Sequence, residues 1–242
     1  MAGHSKWANT KRRKAAQDSA RGKLFTKLIK EIMVAAKVGG SDVDANPRLR
    51  LAIDKAKANS APKASIERAI LKGAGELQGD NYEDLVYEGY GPGGAAILVE
   101  CLTDNRNRTA SEVRAAFTKE GGNLGATGSV SYLFQTQGVF TLANNHLDED
   151  TIITVALEAG ADDVAFDDPA WVVRCEPNDY DACKAALSTL DAELTAELTK
   201  VPDTYVSLST DDAKRVLRLL DRLSACDDVQ DTHTNADIPE TI

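Results

Sequence analysis

The chain has 242 residues, 43% of them hydrophobic and 27% charged, which gives two or three ordinary domains a core each and excludes global disorder. Its formal net charge of -10 hides a split, because the first 73 residues carry 17 Lys and Arg against 6 Asp and Glu while the remainder carries 11 against 32. A positive end on an acidic body attracts a polyanion in one place only, so nucleic acid is the expected partner and the amino-terminal end the expected contact.

No window approaches the roughly 18 continuous apolar residues of a membrane span. The start, Met1-Ala-Gly-His-Ser-Lys-Trp7, runs into Lys11-Arg-Arg-Lys14 without the apolar stretch of a secretory signal. A cytoplasmic protein with no membrane partner is expected. Cys101, Cys175, Cys183 and Cys226 show no CxxC or Cys/His ligand spacing and read as reduced thiols in or beside apolar runs.

In chain order, the first element is an amphipathic helix over residues 22–38. Leu24, Phe25, Leu28, Ile29, Ile32, Met33 and Ala36 recur at helical spacing, Lys23, Lys27, Lys30 and Lys37 fall on the more exposed side, and Gly39-Gly40 is the stop. Asn46-Pro47 opens a second helix, an N-cap followed by a proline whose missing amide hydrogen costs nothing at the first position. Its inward stripe is Leu49, Ala52, Ile53 and Ala56. Pro62 opens a third, with Ile66, Ala69 and Ile70 inward and Gly73 at the end. A linker rich in glycine and polar residues follows, from Gly75 to Asn81.

Beyond it, strands alternate with helices. Strands 83–90 and 95–102 flank Gly91-Pro-Gly-Gly94, a helix runs from about 110 to 120 behind the capping-box spelling Thr109-x-x-Glu112, and Ser129 to Phe134 is the next strand. Strand 138–143, helix 149–158, strands 162–167 and 170–175, helix 179–190 and strand 192–199 give βαββαβ, with two helices on one face of an antiparallel sheet. Strand 203–208, helix 210–223 and strand 226–232 cannot bury both sides of a sheet alone, and complete one with the strands of 83–134. The expected fold is α+β. A basic three-helix domain, 1–75, precedes a discontinuous α+β domain, 82–134 and 201–238, into which an acidic ferredoxin-like α+β domain, 135–200, is inserted.

The candidate nucleic-acid-binding residues begin with His4, Lys6, Trp7, Lys11, Arg12, Arg13, Lys14, Arg21, Lys23, Lys27 and Lys30. Cations on a leader adapt to a phosphate backbone, those on the helix fix its direction, and Trp7 either stacks on a base or packs on the helical domain. Arg48, Arg50, Lys55 and Lys57 extend the surface at seven-residue spacing, although Arg50 and Asp54 stand at i,i+4 and pair internally on that spacing. Arg106 and Arg108, in the polar loop Thr103–Thr109 with Arg114 nearby, reach either a phosphate or an internal carboxylate. Gly121, Gly122, Gly125 and Gly128 read as a helix stop and tight connection whose amides are able to hold an anion.

Enzymatic readings are weaker. Ser60-Ala-Pro-Lys63 lacks the companions of an S-x-x-K catalyst, and His4, His146 and His233 form no triad or zinc spacing. The acidic groups around residues 148–150, 162–163 and 167–168 lack an EF-hand loop. No enzyme, cofactor or metal is expected, and the acidic domains suit a basic protein partner.

Several strings, in order along nearly the whole chain, resemble the YebC/PmpR family. They are Met1-Ala-Gly-His-Ser-Lys-Trp7, Lys23-Leu-Phe-Thr-Lys27, Asn46-Pro-Arg-Leu-Arg50, Ala52-Ile-Asp-Lys-Ala56, Tyr87-Glu-Gly-Tyr-Gly-Pro-Gly-Gly94, Asp104-Asn-Arg-Asn-Arg-Thr109, Gly121-Gly-Asn-Leu-Gly125 and Gly128-Ser-Val-Ser-Tyr-Leu-Phe134. The resemblance implies a helical domain followed by two intertwined α+β domains, and a cytoplasmic, non-enzymatic regulator of gene expression. Bacterial members of the family are commonly assigned as DNA-binding transcriptional regulators. Mitochondrial relatives act as translational activators, and some bacterial ones are linked to ribosomes stalled on proline-rich products. On this resemblance His4, Lys6, Lys11, Arg13, Lys14 and the basic helices face nucleic acid, with the 104–109 loop as a second contact. Thr10 and Arg12 depart from the isoleucine and histidine common in the family, and neither change removes positive charge.

No helix-turn-helix, zinc-finger, RNP or basic-zipper signature separates DNA from ribosomal RNA. DNA comes first as the broad bacterial reading, with ribosomal RNA as the alternative and an adaptor binding protein through its acidic domains as a third. A monomer is expected.

Overall fold

A computed structural model of the chain describes residues 21–78, 81–143, 146–167 and 169–238. Among the described residues, helices α1 (Arg21–Gly39), α2 (Pro47–Ala58) and α3 (Lys63–Gly73) come first. Their apolar stripes close on one core of Leu28, Ile32, Ala35 and Ala36 from α1, Leu49, Ala52, Ile53 and Ala56 from α2, and Ile66 and Ala69 from α3. The expected N-cap, Asn46, is buried and works in both directions. Its Oδ1 accepts the Leu49 amide at 3.0 Å, while its Nδ2 donates to the carbonyls of Ala35 and Gly40, each at 2.8 Å, so one side chain ends α1 and starts α2. Gly73 lies so close to α1 that a Cβ there would strike the Met33 carbonyl, which fixes a hydrogen-only residue at this crossing.

The next elements are β1 (Glu83–Tyr90), β2 (Ala96–Thr103), α4 (Arg106–Glu120) and β3 (Asn123–Leu124). After them come β4 (Phe134–Ala143), α5 (Glu149–Glu158), β5 (Ala161–Asp167), β6 (Ala170–Cys175), α6 (Tyr180–Leu187) and β7 (Glu193–Pro202). The last elements among the described residues are β8 (Val206–Ser207), α7 (Thr210–Ala225), β9 (Val229–Thr234) and β10 (Ala236–Asp237). Two four-stranded antiparallel sheets result, ordered β3-β1-β2-β9 and β5-β6-β4-β7, so the architecture is mixed α+β behind a helical amino-terminal region.

In the first sheet α4 and α7 cover one face, where Val113, Ala116, Phe117, Leu219 and Leu223 meet Ile97, Val99, Cys101 and Val229. The buried Glu120 carboxylate joins these helices by accepting from Arg218 at 3.0 Å and Arg222 at 2.5 Å. In the second sheet α5 and α6 lie on one face, with Ile152, Ala156, Tyr180, Cys183 and Leu187 against Phe140, Leu142, Trp171, Val173 and Cys175. Its first and last residues, Phe134 and Pro202, are register partners, so the chain enters and leaves this sheet at one place. Burial pushes the Cys101 and Cys175 thiols up to about 12, leaving both protonated and unreactive at neutral pH.

Four sequence expectations are corrected. Of the strand placed at 129–134 only Phe134 is extended, as the first residue of β4, because the amides of Gly128, Val130 and Ser131 donate to the buried Glu88 carboxylate at 2.7, 2.8 and 2.7 Å and leave a short 3₁₀ turn, Ser131–Leu133, before that long strand. The strand placed at 203–208 does not join the first sheet. Val206 and Ser207 pair in parallel with Ala236 and Asp237 in a separate two-stranded sheet. Thr109 does not cap α4. Asn105 does, accepting the Arg108 amide at 3.1 Å, while Thr109 sits buried inside the helix. Lastly, Arg50 and Asp54 do not pair with each other, because each meets an opposite charge on α6.

Candidate nucleic-acid interface

Charge on a helix face is available to a ligand only where no carbonyl or carboxylate of the same chain has taken it. His4, Lys6, Trp7, Lys11, Arg12, Arg13 and Lys14 lie outside the described residues, as does the Arg21 side chain. The remaining predicted site residues divide into two groups.

The first group is turned inward. On α1, Lys23, Lys27 and Lys30 share one face at i, i+4 and i+7, and that face meets the carboxyl end of α7. Lys23 donates to the Ala225 carbonyl at 2.7 Å and pairs with Asp227 at 3.0 Å. Lys27 donates to the Ser224 carbonyl at 2.9 Å, and Lys30 to the Asp227 carbonyl at 3.2 Å. The last carbonyls of a helix lack intrahelical donors and carry its negative dipole end, so the Lys23 and Lys27 ammonium groups satisfy both needs, while Lys30 caps a carbonyl of the turn that follows. Burial pushes the Lys27 ammonium below the ordinary lysine range, with Asp231 pulling it back in part.

Helical spacing predicts Lys30 on the exposed side of α1, yet it is buried and 3.2 Å from Asp228 Oδ1. Asp228 is itself buried and gathers further donors. Arg108 Nη2 lies at 2.6 Å, Arg108 Nε at 3.0 Å, Thr109 Oγ1 at 2.9 Å and Thr103 Oγ1 at 3.2 Å. Burial opposes the charged form of this carboxyl, but the hydrogen bonds from Arg108, Thr109 and Lys30 outweigh burial and hold it below the usual carboxylate range. The same Arg108 Nη2 also donates to Asp104 at 2.7 Å. Of the two outcomes left open for Arg108, internal pairing is the one observed.

Arg48 is held between Glu31 at 2.8 Å and Asp84 at 2.8 Å, which ties α2 to α1 and to β1. Arg50 reaches Asp181 at 3.5 Å and Asp54 reaches Lys184 at 3.2 Å, a reciprocal pair of contacts between α2 and α6. Arg106 leans on Glu83 at 3.3 Å but stays largely exposed.

The second group faces outward. Lys55 and Lys57 on α2 are exposed, and Arg68 on α3 is exposed with Lys72 one turn further along. Arg68 and Lys72 were missed at the sequence level. Their i,i+4 spacing in the basic third was the available signal. The anion-holding turn expected at the glycines exists, but its occupant is the chain's own Glu88, so it is not open to a ligand.

No catalytic constellation comes together among the described residues. His233 is buried 3.3 Å from Glu100, Ser60 sits at a positive φ of 61° in the turn after α2, and no group of three or more His, Cys, Asp or Glu is arranged to hold a metal ion. Among the same residues no helix is long and apolar enough to cross a membrane.

Residues 5–76 match the family model described as the TACO1/YebC protein N-terminal domain, and residues 82–236 match that for the TACO1/YebC second and third domain. Over 243 residues the chain is 50% identical to a protein of Desulforapulum autotrophicum named "probable transcriptional regulatory protein", covering 100% of this chain and 98% of that one. A protein of Treponema denticola with the same name is 54% identical over 241 residues, covering 99% and 98%. The crystal structure of a conserved hypothetical protein from Aquifex aeolicus superposes with a TM-score of 0.81 at 45% identity, covering 92% of this chain and 93% of that one.

Proposed function

The chain belongs to the TACO1/YebC family, and on that premise we propose that it is a non-enzymatic, DNA-binding transcriptional regulatory protein that grips polynucleotide at its amino-terminal end. The observation that carries this reading is the segregation of charge, 17 basic against 6 acidic groups in the first 73 residues of a chain with net charge -10. The names of the full-length relatives support a regulatory role. The phosphate-facing set consists of the cations of residues 4–14 with Lys55, Lys57, Arg68 and Lys72, while the strongly acidic remainder repels phosphate and limits the approach to that end. The shared entry and exit point of the second sheet supports treating residues 135–200 as an inserted domain, free to present its acidic surface to a protein partner.

Crosslinking in cells followed by sequencing of both DNA and RNA tests the assignment. The expected result is enrichment of discrete promoter segments. Recovery of ribosomal RNA alone would transfer the function to translation, and recovery of neither would remove the nucleic-acid reading.

A further inference from the structure

We infer that the lysine row Lys23, Lys27 and Lys30 is an occluded phosphate-binding strip, covered in this structure by the carboxyl end of α7 and uncovered when the helical region engages a polynucleotide. The inference rests on the nucleic-acid reading above and adds a second contact surface to it. Three ammonium groups span about 10 Å of helix, comparable to the run of about four successive phosphates of one strand at about 3.4 Å of axis per step. What they hold at present resembles a phosphate run in kind: carbonyl oxygens of Ser224, Ala225 and Asp227, and the carboxylates of Asp227 and Asp228. The two sets of acceptors compete for the same donors, so binding at the strip requires α1 to leave α7.

The attachment is of a kind that permits this. The core of α1, α2 and α3 is drawn from those helices and their own connections, and the core over the first sheet from its own strands with α4 and α7. Between them stand polar contacts: the lysine row, Arg48 with Asp84, and Lys37 with Asn81. Toward the second sheet there are the two charge pairs of α2 with α6 and one apolar contact, Leu51. The exposed contacts of this set, Lys23 with Asp227 and Arg48 with Asp84, are screened by salt and exchange readily for phosphate, whereas the buried pair of Lys30 with Asp228 is the costly one that a polynucleotide must replace.

The test uses the full chain with nitroxide labels at exposed positions of α3 and α7, Ala64→Cys and Lys214→Cys, in a Cys226→Ser background, the other three cysteines being buried. Electron–electron distances are measured with and without a 20-nucleotide single-stranded DNA or RNA, or a duplex of the same length, at low salt. The expected result is a shift to longer distances on binding. Asp227→Asn, which releases the exposed partner of Lys23 and leaves Asp228 in place, is expected to tighten binding about two- to fivefold. An oligonucleotide that binds without changing the distances, and equally to the variant, would overturn the strip and leave the nucleic-acid assignment intact. Absence of any binding would overturn that assignment and the strip with it.

Discussion

Replacing Asp228 by alanine is expected to cost about 3–5 kcal/mol of stability, the range for removing one partner of a buried ion pair and leaving the others uncompensated. The variant takes from Lys30, whose side chain is 9% exposed, its buried carboxylate and leaves it the Asp227 carbonyl, and it removes one acceptor each from Arg108 and Thr109. Asp227→Ala, one position away but with its side chain 75% exposed, is expected to cost less than about 1 kcal/mol. Thermal denaturation of both variants separates the two cases. Equal, small losses would show that Asp228 is not the joint between α1, α4 and the turn before β9.

Acid should reveal the same joint. The folded-state pKa of Asp228 lies below its unfolded value, so its contribution is fully present above the unfolded carboxyl value of about 4 and is lost as pH falls through the folded value. Glu88, held by three amides against the cost of burial, and Glu120, held by Arg222 and Arg218, are shifted the same way and add to the acid sensitivity. Asp228→Ala should therefore be less stable at neutral pH and lose less of its remaining stability between about pH 5 and 2 than the parent chain.

The second large effect concerns binding. Changing Lys11, Arg12, Arg13 and Lys14 together to alanine is expected to weaken polynucleotide affinity roughly 10- to 1,000-fold near 0.1 M salt, and to flatten the plot of log affinity against log salt by about 0.9 for each duplex phosphate no longer neutralised. Titrations at several salt concentrations with duplex DNA check this. An unchanged slope would place the phosphate-binding groups elsewhere and favour a protein-binding role for the chain. Arg108→Ala, by contrast, should act on stability, since its guanidinium is already held by Asp228 and Asp104.

Local signals read well from the sequence wherever the cause was local. Asn46 and Pro47 start a helix where expected, and the stripe Leu49, Ala52, Ile53 and Ala56 is the buried face of α2. The alternation of strands and helices over 138–199 appears in the expected chain order, βαββαβ, although β4 pairs with β6 and β7 rather than with β5, the strand that follows it in the chain. The errors have a common physical origin. Helical spacing tells which side a lysine occupies but not what docks there, and Lys30 meets Asp228 across 198 residues of chain. The capping-box spelling at Thr109 is outcompeted by the same distant carboxylate, which draws the hydroxyl inward and leaves Asn105 to cap. At Ser129–Phe134 β-compatible residues stay out of a ladder because Glu88, 40 to 43 positions earlier, takes their amides.

The candidate site is thus legible as a quantity of charge but not as a surface. Of the helical cations named from the sequence, Lys23, Lys27, Lys30, Arg48 and Arg50 hold parts of the chain together, while Lys55 and Lys57 remain outward. Arg68 joins them from α3, whose apolar stripe is plain in the sequence but whose cations belong to no motif.

That division of labour is most directly tested by quantitative acetylation of lysines in the full chain, with and without saturating duplex DNA or ribosomal RNA. The account predicts that Lys6, Lys11, Lys14, Lys55 and Lys57 lose reactivity on binding, while the exposed Lys214 in the acidic part keeps its own. Unchanged reactivity at all five, under conditions where the polynucleotide is bound, would contradict it.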